Sequence, residues 1–337
     1  MLLSELTTMR VGGPATSVVT ATTRDELVAA ALDAWSSGDE WLVLGGGSNV
    51  VVSDEGFDGR VILAANRGID QATDGMPRLL VEAGEPWDAV VAHAVDHGLA
   101  GIEALSGIPG SSGAAPMQNI GAYGQELSDS LLAIEFLDFL TGEVERIPAS
   151  ELRLGYRTSA LKQGRQGVVL AIELGLTAST EGAIEYEQLA GALGVSVGST
   201  APIADIRAQV LGLRAAKGMV LDPSDPDTAS CGSFFTNPIV SENFARGLPS
   251  AAPQWLVDDT DVKLSAAWLI EKSGITKGFA LPGSNAAISS KHTLAITNRG
   301  GATADQVAEL ARYIHARVLA EFGIALQPEP VTIGLEL

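Results

Sequence analysis

The chain has very few sulfur and basic side chains. Cys231 is the only cysteine among 337 residues, so the chain cannot form an internal disulfide or a zinc site built from several thiolates. Lysine and arginine total 21 against 41 acidic residues, which gives a formal net charge of −20. This balance argues against a partner with a phosphate backbone, and we expect no nucleic acid to bind.

Long apolar runs are also missing. No stretch approaches the roughly 18 apolar residues that span a bilayer, and the opening MLLSELTTMR lacks the charged and apolar regions of a signal peptide. We therefore expect a cytoplasmic protein with no membrane partner. A composition of 46% hydrophobic and 18% charged residues is typical of a globular chain with two or three domains.

Glycine is concentrated in a loop between two apolar stretches. Residues 42–59 read LVLGGGSNVVVSDEGFDG, and Gly45, Gly46 and Gly47 are consecutive. The bare amides of such a loop can surround an anion. No lysine follows as a Walker loop requires, and a valine stands where a dinucleotide fingerprint needs glycine. The β-branched run at 50–52 predicts a strand after the loop, so a hairpin turn remains an alternative.

A second glycine-rich segment favours a ligand over a turn. Residues 107–124, GIPGSSGAAPMQNIGAYG, hold five glycines together with short hydroxyl and amide side chains. A fold has little structural reason to build two such loops unless an extended anionic ligand lies between them. A dinucleotide cofactor has that shape.

The remaining pattern predicts a mixed α and β chain. Capping boxes at 23–26 and 303–306 predict two helices that end at Gly38 and Gly323. The small residues at 190–203 predict a linker between two units. Other strands are expected at 41–44, 50–52 and 61–63 and within 131–176, and other helices at 86–98, 203–216 and 264–273.

Two histidines raise the question of a metal. His93 and His97 lie four residues apart on one predicted helix. Their segment, HAVDH, lacks the glutamate of HExxH, and no third ligand is evident. We expect a structural or surface role for the pair and no metal.

Five motifs in order resemble one known family. GGGSN, GIPGSSGAAPMQNIGAYGQE, GYRTSALK, CGSFFTNP and QPEP are similar to those of the UDP-N-acetylenolpyruvoylglucosamine reductase (MurB) family, and the likeness runs from residue 9 to residue 334. The resemblance implies an α+β fold, with an FAD-binding domain of the vanillyl-alcohol oxidase (PCMH) type followed by a MurB-type substrate domain. We expect these at 1–195 and 196–325, with 326–337 as a strand that returns to the active site.

The resemblance also implies the ligands. FAD would bind noncovalently, NADPH would be the reductant, and a monomer would act on the enolpyruvyl ether of a UDP-sugar. The expected cofactor residues are Gly45, Gly46, Gly47, Ser48, Asn49, Gly110, Ser111, Ser112, Gly113, Gln118, Asn119, Gly121 and Ala122.

Three residues match the family's catalytic positions. After hydride transfer from flavin N5, Arg157 and Glu329 would hold the enolate and Ser233 would deliver the proton. The permanently charged, planar guanidinium of Arg157 suits a carboxylate or enolate. Ser233 has no base nearby in sequence, which favours an acid role over nucleophilic attack. Pro328 and Pro330 flank Glu329 and restrict its backbone.

Other positions match the family's substrate contacts, with three departures. The stretch after Lys217 reads Gly-Met-Val-Leu-Asp-Pro, where many members have a shorter proline-containing turn. Trp255 stands where a tyrosine is expected, and Gln327 replaces a second glutamate. Tyr186 matches a loop tyrosine of the family's longer subgroup, to which we assign the chain. The expected substrate-binding residues are Tyr186, Lys217, Asn237, Trp255 and Lys263.

Two other functions remain open at this stage. A noncovalent flavin oxidase of the same superfamily would share the FAD-binding fold, although the first loop offers no histidine or cysteine for a covalent flavin. An idle nucleotide-sugar binding protein would purify colourless, whereas either enzyme would carry a flavin spectrum.

Overall fold

The computed structural model describes residues 1–72, 75 and 77–337 of the chain. These form two compact units. The C-terminal unit consists of Met1–Pro14, Ser48–Phe57 and Lys217–Leu337, and the N-terminal unit consists of Ala15–Gly47 and Asp58–Ala216. The bounds of the units differ from the domain ranges expected from sequence, which stay a prediction.

The described part of the chain contains helices α1 Arg24–Ser37, α2 Trp87–Asp96, α3 Glu187–Leu193, α4 Ile203–Ala216, α5 Glu242–Ala245, α6 Ala266–Lys272 and α7 Ala304–Phe322. Its strands are β1 Ala15–Ala21, β2 Trp41–Leu44, β3 Val50–Val52, β4 Phe57–Ala64, β5 Ile69–Gln71, β6 Arg78–Glu82, β7 Leu99–Ala100, β8 Gly121–Ala122, β9 Gln125–Glu126, β10 Leu131–Asp138, β11 Val144–Pro148, β12 Gly167–Gly175, β13 Thr177–Ala178, β14 Glu181–Ala183, β15 Thr200–Pro202, β16 Ile239–Ser241, β17 Gln254–Leu256, β18 Asp261–Leu264, β19 Ala286–Ile288, β20 Ile296–Asn298 and β21 Val331–Ile333.

Two sheets organise the N-terminal unit. One has the strand order β1–β4–β2, with β2 and β4 parallel, and the other is antiparallel in the order β11–β10–β12–β6–β5. The central strand β12, GVVLAIELG, is an almost continuous apolar run, which is the pattern of a strand covered on both faces. Its residues contribute to two apolar clusters, one shared with α1 and the other with α2.

Helix α1 has the caps that its sequence predicts. The Thr23 hydroxyl accepts from the Glu26 amide at 3.2 Å, and the Glu26 carboxylate accepts from the Thr23 amide at 3.3 Å. Gly38 ends the helix with φ 74°, a left-handed conformation that glycine adopts without strain. The predicted capping box is confirmed.

The linker predicted at 190–203 is wrong. This segment holds the end of α3 and the strand β15, which pairs antiparallel with β14 inside the N-terminal unit. Ala190 and Ala201 are buried in one cluster with Ile206. The residues between these two alanines are mostly exposed, but both ends of the segment are packed within the N-terminal unit, so the segment does not separate two units.

The C-terminal unit packs around one apolar cluster. Strands β16–β18–β17 form an antiparallel sheet, β19 pairs with β20, and β21 runs parallel to β3. The cluster includes Leu269 of α6 and Leu310, Ile314 and Val318 of α7. The predicted capping box of α7 is also confirmed, and the helix ends at Gly323.

Asp54 connects β3 to α7 within the C-terminal unit. Its carboxylate accepts from the Ala304 amide at 2.9 Å and from the Asp305 amide at 3.1 Å. These amides belong to the first turn of α7, where a negative charge is favourable. The strand that follows the first glycine loop is thereby fixed by both β21 and α7.

The first glycine loop lies between β2 and β3. The strand predicted at 50–52 is confirmed, but β2 pairs with β4 while β3 pairs with β21. Because β2 and β3 belong to different sheets, the loop is not the turn of a β-hairpin. No helix in the described part of the chain is long and apolar enough to cross a membrane.

Candidate functional site

The first glycine loop touches the second within the N-terminal unit. A Cβ atom built on Gly46 would lie 2.8 Å from the Gly110 Cα atom, and one built on Gly45 would clash with the Ser111 Oγ atom. Gly47 has φ 59°, which favours glycine. Side chains are absent because two backbones meet here.

Helix α2 and the end of β6 hold the second loop in place. The Trp87 amide donates to the Gly110 carbonyl at 3.0 Å, and the Gly113 amide donates to the Ala83 carbonyl at 2.8 Å. Both the amide and the hydroxyl of Ser112 donate to the Glu85 carbonyl at 2.9 Å. Ser112 therefore stabilises the conformation of the loop. Gly113 allows the loop to pack closely on Ala83.

Ser111 differs from Ser112 in that its hydroxyl has no internal partner. The residue is 5% exposed, and its Oγ atom makes no hydrogen bond within the described residues. An unsatisfied buried hydroxyl costs about 1–3 kcal/mol. The two loops thus bring the Ser111 Oγ atom, which needs a hydrogen-bond partner, next to backbone that no side chain covers. This combination fits a polar, anionic ligand.

Asn119 organises the end of the second loop. The residue is fully buried with φ 47°, and its side-chain amide donates to Glu126 at 2.9 Å and to Ser128 at 3.2 Å. Its side-chain oxygen accepts from the Ser128 amide at 2.9 Å. Gln118 ends the 3-10 helix Ser112–Gln118 immediately before it. A cofactor contact by either residue stays a prediction.

Arg157 is bound to this same segment. Its guanidinium donates to the Asn119 carbonyl at 3.2 Å and to the Gly121 carbonyl at 2.8 Å, and its Cζ atom lies 5.5 Å from the centre of the Tyr156 ring. Arg157 has φ 54° and is half-buried. The strand β8, Gly121–Ala122, is an expected cofactor segment. The Arg157 guanidinium therefore lies directly beside the expected cofactor site.

The C-terminal unit brings Ser233 and Glu329 onto neighbouring segments. Phe235 bridges Pro328 in antiparallel register, and the Glu329 amide donates to the Phe234 carbonyl at 2.9 Å. Ser233 precedes Phe234, so the serine and the glutamate come from adjacent positions of this short pairing. Both are half-buried.

Asn49 lies on the other side of the Glu329 segment. Its side-chain amide donates to the Glu329 carbonyl at 3.3 Å, and its own carbonyl accepts from the Val331 amide at 2.9 Å. Asn49 therefore supports the backbone that presents Glu329. The adjacent Ser48 is half-buried.

Cys231 is a member of this group that the sequence analysis did not assign. Its Sγ atom lies 3.4 Å from the Val50 carbonyl oxygen. Burial, together with a smaller contribution from the negative charge of Glu329, raises the pKa of the thiol to about 12. The signal in the sequence is the one cysteine standing two residues before Ser233.

Two of the predicted substrate residues of the C-terminal unit lie on paired strands, and two lie outside its helices and strands. Trp255 of β17 pairs directly with Lys263 of β18, and Trp255 is 47% exposed. The Asn237 side chain accepts from the Ala266 amide of α6 at 3.0 Å. Lys217 is half-buried and precedes Gly218, whose φ is 69°. Gln327 is exposed.

In the N-terminal unit, Tyr186 precedes α3 and is 43% exposed. Its ring lies edge-on to that of Tyr123, with 5.7 Å between the ring centres. The sequence analysis did not assign Tyr123, which lies in the short connection between β8 and β9.

His93 and His97 stack on α2 with ring centres 4.0 Å apart. Burial lowers the pKa of His93, and the charge of His97 lowers it further. No group of three metal-ligating side chains is found among the described residues.

Two protein-family models match the chain. Residues 15–148 match the FAD binding domain, and residues 223–333 match the C-terminal domain of UDP-N-acetylenolpyruvoylglucosamine reductase. The predicted order of an FAD-binding domain followed by a MurB-type domain is thereby confirmed.

Curated relatives and a solved structure extend this likeness over the whole chain. The UDP-N-acetylenolpyruvoylglucosamine reductase of Leifsonia xyli subsp. xyli is 56% identical, with 99% of this chain and 98% of the relative covered. That of Saccharopolyspora erythraea is 49% identical, with 99% and 95% covered. The crystal structure of the reductase (MurB) from Thermus caldophilus has a TM-score of 0.67 and 31% identity, with 99% and 97% covered. Since both domains and nearly the full length agree, the chain belongs to the UDP-N-acetylenolpyruvoylglucosamine reductase family.

Proposed function

We propose that this chain reduces UDP-N-acetylenolpyruvoylglucosamine to UDP-N-acetylmuramate, a step of peptidoglycan precursor synthesis, with noncovalent FAD and with NADPH as reductant. The observation that carries the proposal is the contact between Gly46 and Gly110 beside the buried Ser111 hydroxyl, in a chain of this family. Side-chain-free backbone and an unpartnered hydroxyl suit a dinucleotide cofactor better than they suit a structural turn.

The residues present fit FAD. The amides of Gly45, Gly46 and Gly47, with Ser48 and Asn49, would hold its pyrophosphate, and the Ser111 hydroxyl would gain the partner that the described residues do not give it. The remaining contacts would come from Gly110, Ser112, Gly113, Gln118, Asn119, Gly121 and Ala122. Bound FAD would supply the hydride transfer from NADPH to the methylene carbon of the enolpyruvyl group.

Arg157 and Glu329 would stabilise the charge that hydride addition creates. The double-bond electrons move toward the substrate carboxylate and form an enolate. The Arg157 guanidinium pairs with that carboxylate, and its bonds to two loop carbonyls fix its orientation before the substrate binds. Glu329, ionised in the free protein, would be protonated in the substrate complex and would donate a hydrogen bond to the enolate oxygen.

Ser233 would complete the reaction as the proton donor. Its Oγ–H gives a proton to the carbon that bears the carboxylate and the ether oxygen, and Oγ regains a proton from water. The enolpyruvyl ether thus gains one hydrogen on each carbon, while one NADPH and one proton are consumed. The pairing of the Ser233 and Glu329 segments supports this assignment, because a proton donor and a carboxyl that stabilises the enolate must act on the same small group.

The sugar nucleotide would be held mainly by cations and rings. Lys217 and Lys263 would neutralise the diphosphate, together with Asn237. Trp255 faces outward directly opposite Lys263, so it can stack on a ring while the lysine contacts a phosphate. Tyr186 would cover the bound substrate. We further propose that the protein acts in the cytoplasm as a monomer without nucleic acid; sedimentation at its 34.8 kDa mass would test the oligomeric state.

Replacing Gly46 with valine should release the flavin. The new side chain would enter the space occupied by the Gly110 backbone and separate the two loops. The measurement is the flavin absorbance that remains with the protein after gel filtration, with circular dichroism as a check of folding. Gly212→Ala is the matched control, because its Cβ atom would meet nothing within 4 Å. Full flavin retention by Gly46→Val would show that the loop is only a structural turn.

Replacing Ser233 with alanine should stop turnover but leave flavin reduction by NADPH intact. Loss of a positioned proton donor lowers kcat by about 10²- to 10⁴-fold. Stopped-flow absorbance measures the reduction step, and steady-state assays measure turnover. Ser250→Ala, at an exposed serine of the same unit, is the control. Wild-type turnover in Ser233→Ala would exclude this serine as the donor.

The Cys231 thiol provides a chemical test of the position of Glu329. With its pKa near 12, the thiol should react with iodoacetamide at pH 8 about a thousandfold more slowly than in unfolded protein, where thiols have a pKa of about 8.5. Because the Glu329 charge raises this pKa, Glu329→Gln should speed the reaction, whereas Glu321→Gln, at an exposed position of α7, should not. Equal rates in the two variants would place the Glu329 carboxylate away from the serine motif.

A further inference from the structure

Tyr123 lies at the turn of a tightly held hairpin in the N-terminal unit. Strands β8 and β9 pair with Gly121 opposite Glu126, and Tyr123 has φ 49° while being only 9% exposed. A tyrosine is rarely left-handed without a reason in its surroundings. The strained backbone here directs a large ring inward from a turn.

The buried carboxylate of Glu103 holds the hairpin through the side chain of Gln125. Gln125 donates to Glu103 at 3.0 Å, and the Ala104 amide donates to the Gln125 side-chain oxygen at 2.8 Å. Glu103 itself is 1% exposed. Because both ends of the Gln125 side chain are bound, the hairpin is a rigid support.

Two independent contacts join this hairpin to the Tyr186 segment. The rings of Tyr123 and Tyr186 meet edge to face, at 5.7 Å between centres and an interplanar angle of 89°. At the next residue, Gly124 has φ 92°, and a Cβ atom on it would lie 2.9 Å from the Glu185 Cβ atom. The segments therefore contact one another through backbone as well as through rings.

The same hairpin also holds Arg157. The Gly121 carbonyl of β8 accepts from the Arg157 guanidinium at 2.8 Å. A second cation acts nearby: burial raises the pKa of Tyr123, and the charge of Arg214 opposes that rise. This hairpin thus contacts both Arg157, which is assigned to the enolate, and the segment of Tyr186, which is assigned to cover the substrate.

We infer that Tyr123 is a positioning residue that docks Tyr186 on the hairpin holding Arg157, so that the tyrosine is placed for the sugar nucleotide before it binds. This inference rests on the proposed function. In this role Tyr123 does not contact the reacting atoms. Its effect is on substrate binding through Tyr186, with the bond-making step unchanged.

Substitution of Tyr123 by leucine should therefore raise KM for the UDP-sugar and leave kcat nearly unchanged. An edge-to-face pair contributes enough to change KM by about two- to tenfold. Tyr123→Phe keeps the ring and should stay near the wild-type KM. In a Tyr186→Leu background, Tyr123→Leu should have no further effect, because the docked ring is already gone.

The outcomes separate the inference from the function on which it rests. If Tyr186→Leu raises KM but the two leucine substitutions multiply in effect, the docking role of Tyr123 is overturned while the proposed function stands. If Tyr186→Leu leaves KM unchanged, Tyr186 does not contribute to substrate binding, and the inference about Tyr123 is overturned with it. A lower KM in Tyr123→Leu would mean that the contact holds Tyr186 away from the substrate, which also overturns the inference.

Hydrogen exchange provides a readout that does not depend on activity. The Ala190 amide donates to the Tyr186 carbonyl at 2.9 Å, so exchange at Ala190 reports on the start of α3. Tyr123→Leu should accelerate this exchange and Tyr123→Phe should not. Unchanged protection in Tyr123→Leu would show that the ring contact does not hold the segment.

Discussion

The contact between the Gly46 and Gly110 backbones is the constraint on which the account of the site depends. Any side chain at Gly46 would occupy the position of the second loop, so the two glycine runs are explained together rather than as separate turns. Their contact leaves amides without side-chain cover, and the Ser111 hydroxyl is buried with no partner in the part of the chain that the structure describes. Both features would destabilise a turn that binds nothing, because polar groups would stay unsatisfied. Both can instead form hydrogen bonds to the pyrophosphate of a ligand. Arg157 follows from the same arrangement, since the carbonyls that bind it belong to the end of the second loop.

A comparable backbone constraint organises the C-terminal unit. The short pairing between residues 234–236 and 327–329 sets Ser233 beside the Glu329 segment, and Asn49 fixes that segment from its other side. Prolines on both sides of Glu329 reduce the conformations that its backbone can adopt. The chemistry proposed for the two side chains needs such fixed positions, because a weak acid such as a serine hydroxyl is effective only when it is aligned with the carbon that it protonates.

Local signals in the sequence predicted much of this structure. The capping boxes at Thr23 and Thr303, the strand at 50–52 and the absence of a helix after the first loop depend on neighbouring residues, and all are confirmed. The predicted linker at 190–203 was wrong because Ala190 and Ala201 are buried in one cluster and β15 pairs with β14, contacts with residues outside the segment that its small, polar composition does not reveal. The pairing of Phe235 with Pro328 and the contact of Tyr123 with Tyr186 join segments distant in sequence, so no local pattern reveals them. The family resemblance named Ser233 and Glu329, but only the fold shows that they share one pairing.

The most direct test of the central claim is an anaerobic titration of the purified protein followed by flavin absorbance. The account predicts that the protein purifies yellow, that NADPH bleaches the flavin, and that one equivalent of UDP-N-acetylenolpyruvoylglucosamine restores the oxidised spectrum with formation of UDP-N-acetylmuramate. A flavin that only molecular oxygen reoxidises would identify an oxidase. A colourless protein that binds the sugar nucleotide without flavin would contradict the account altogether.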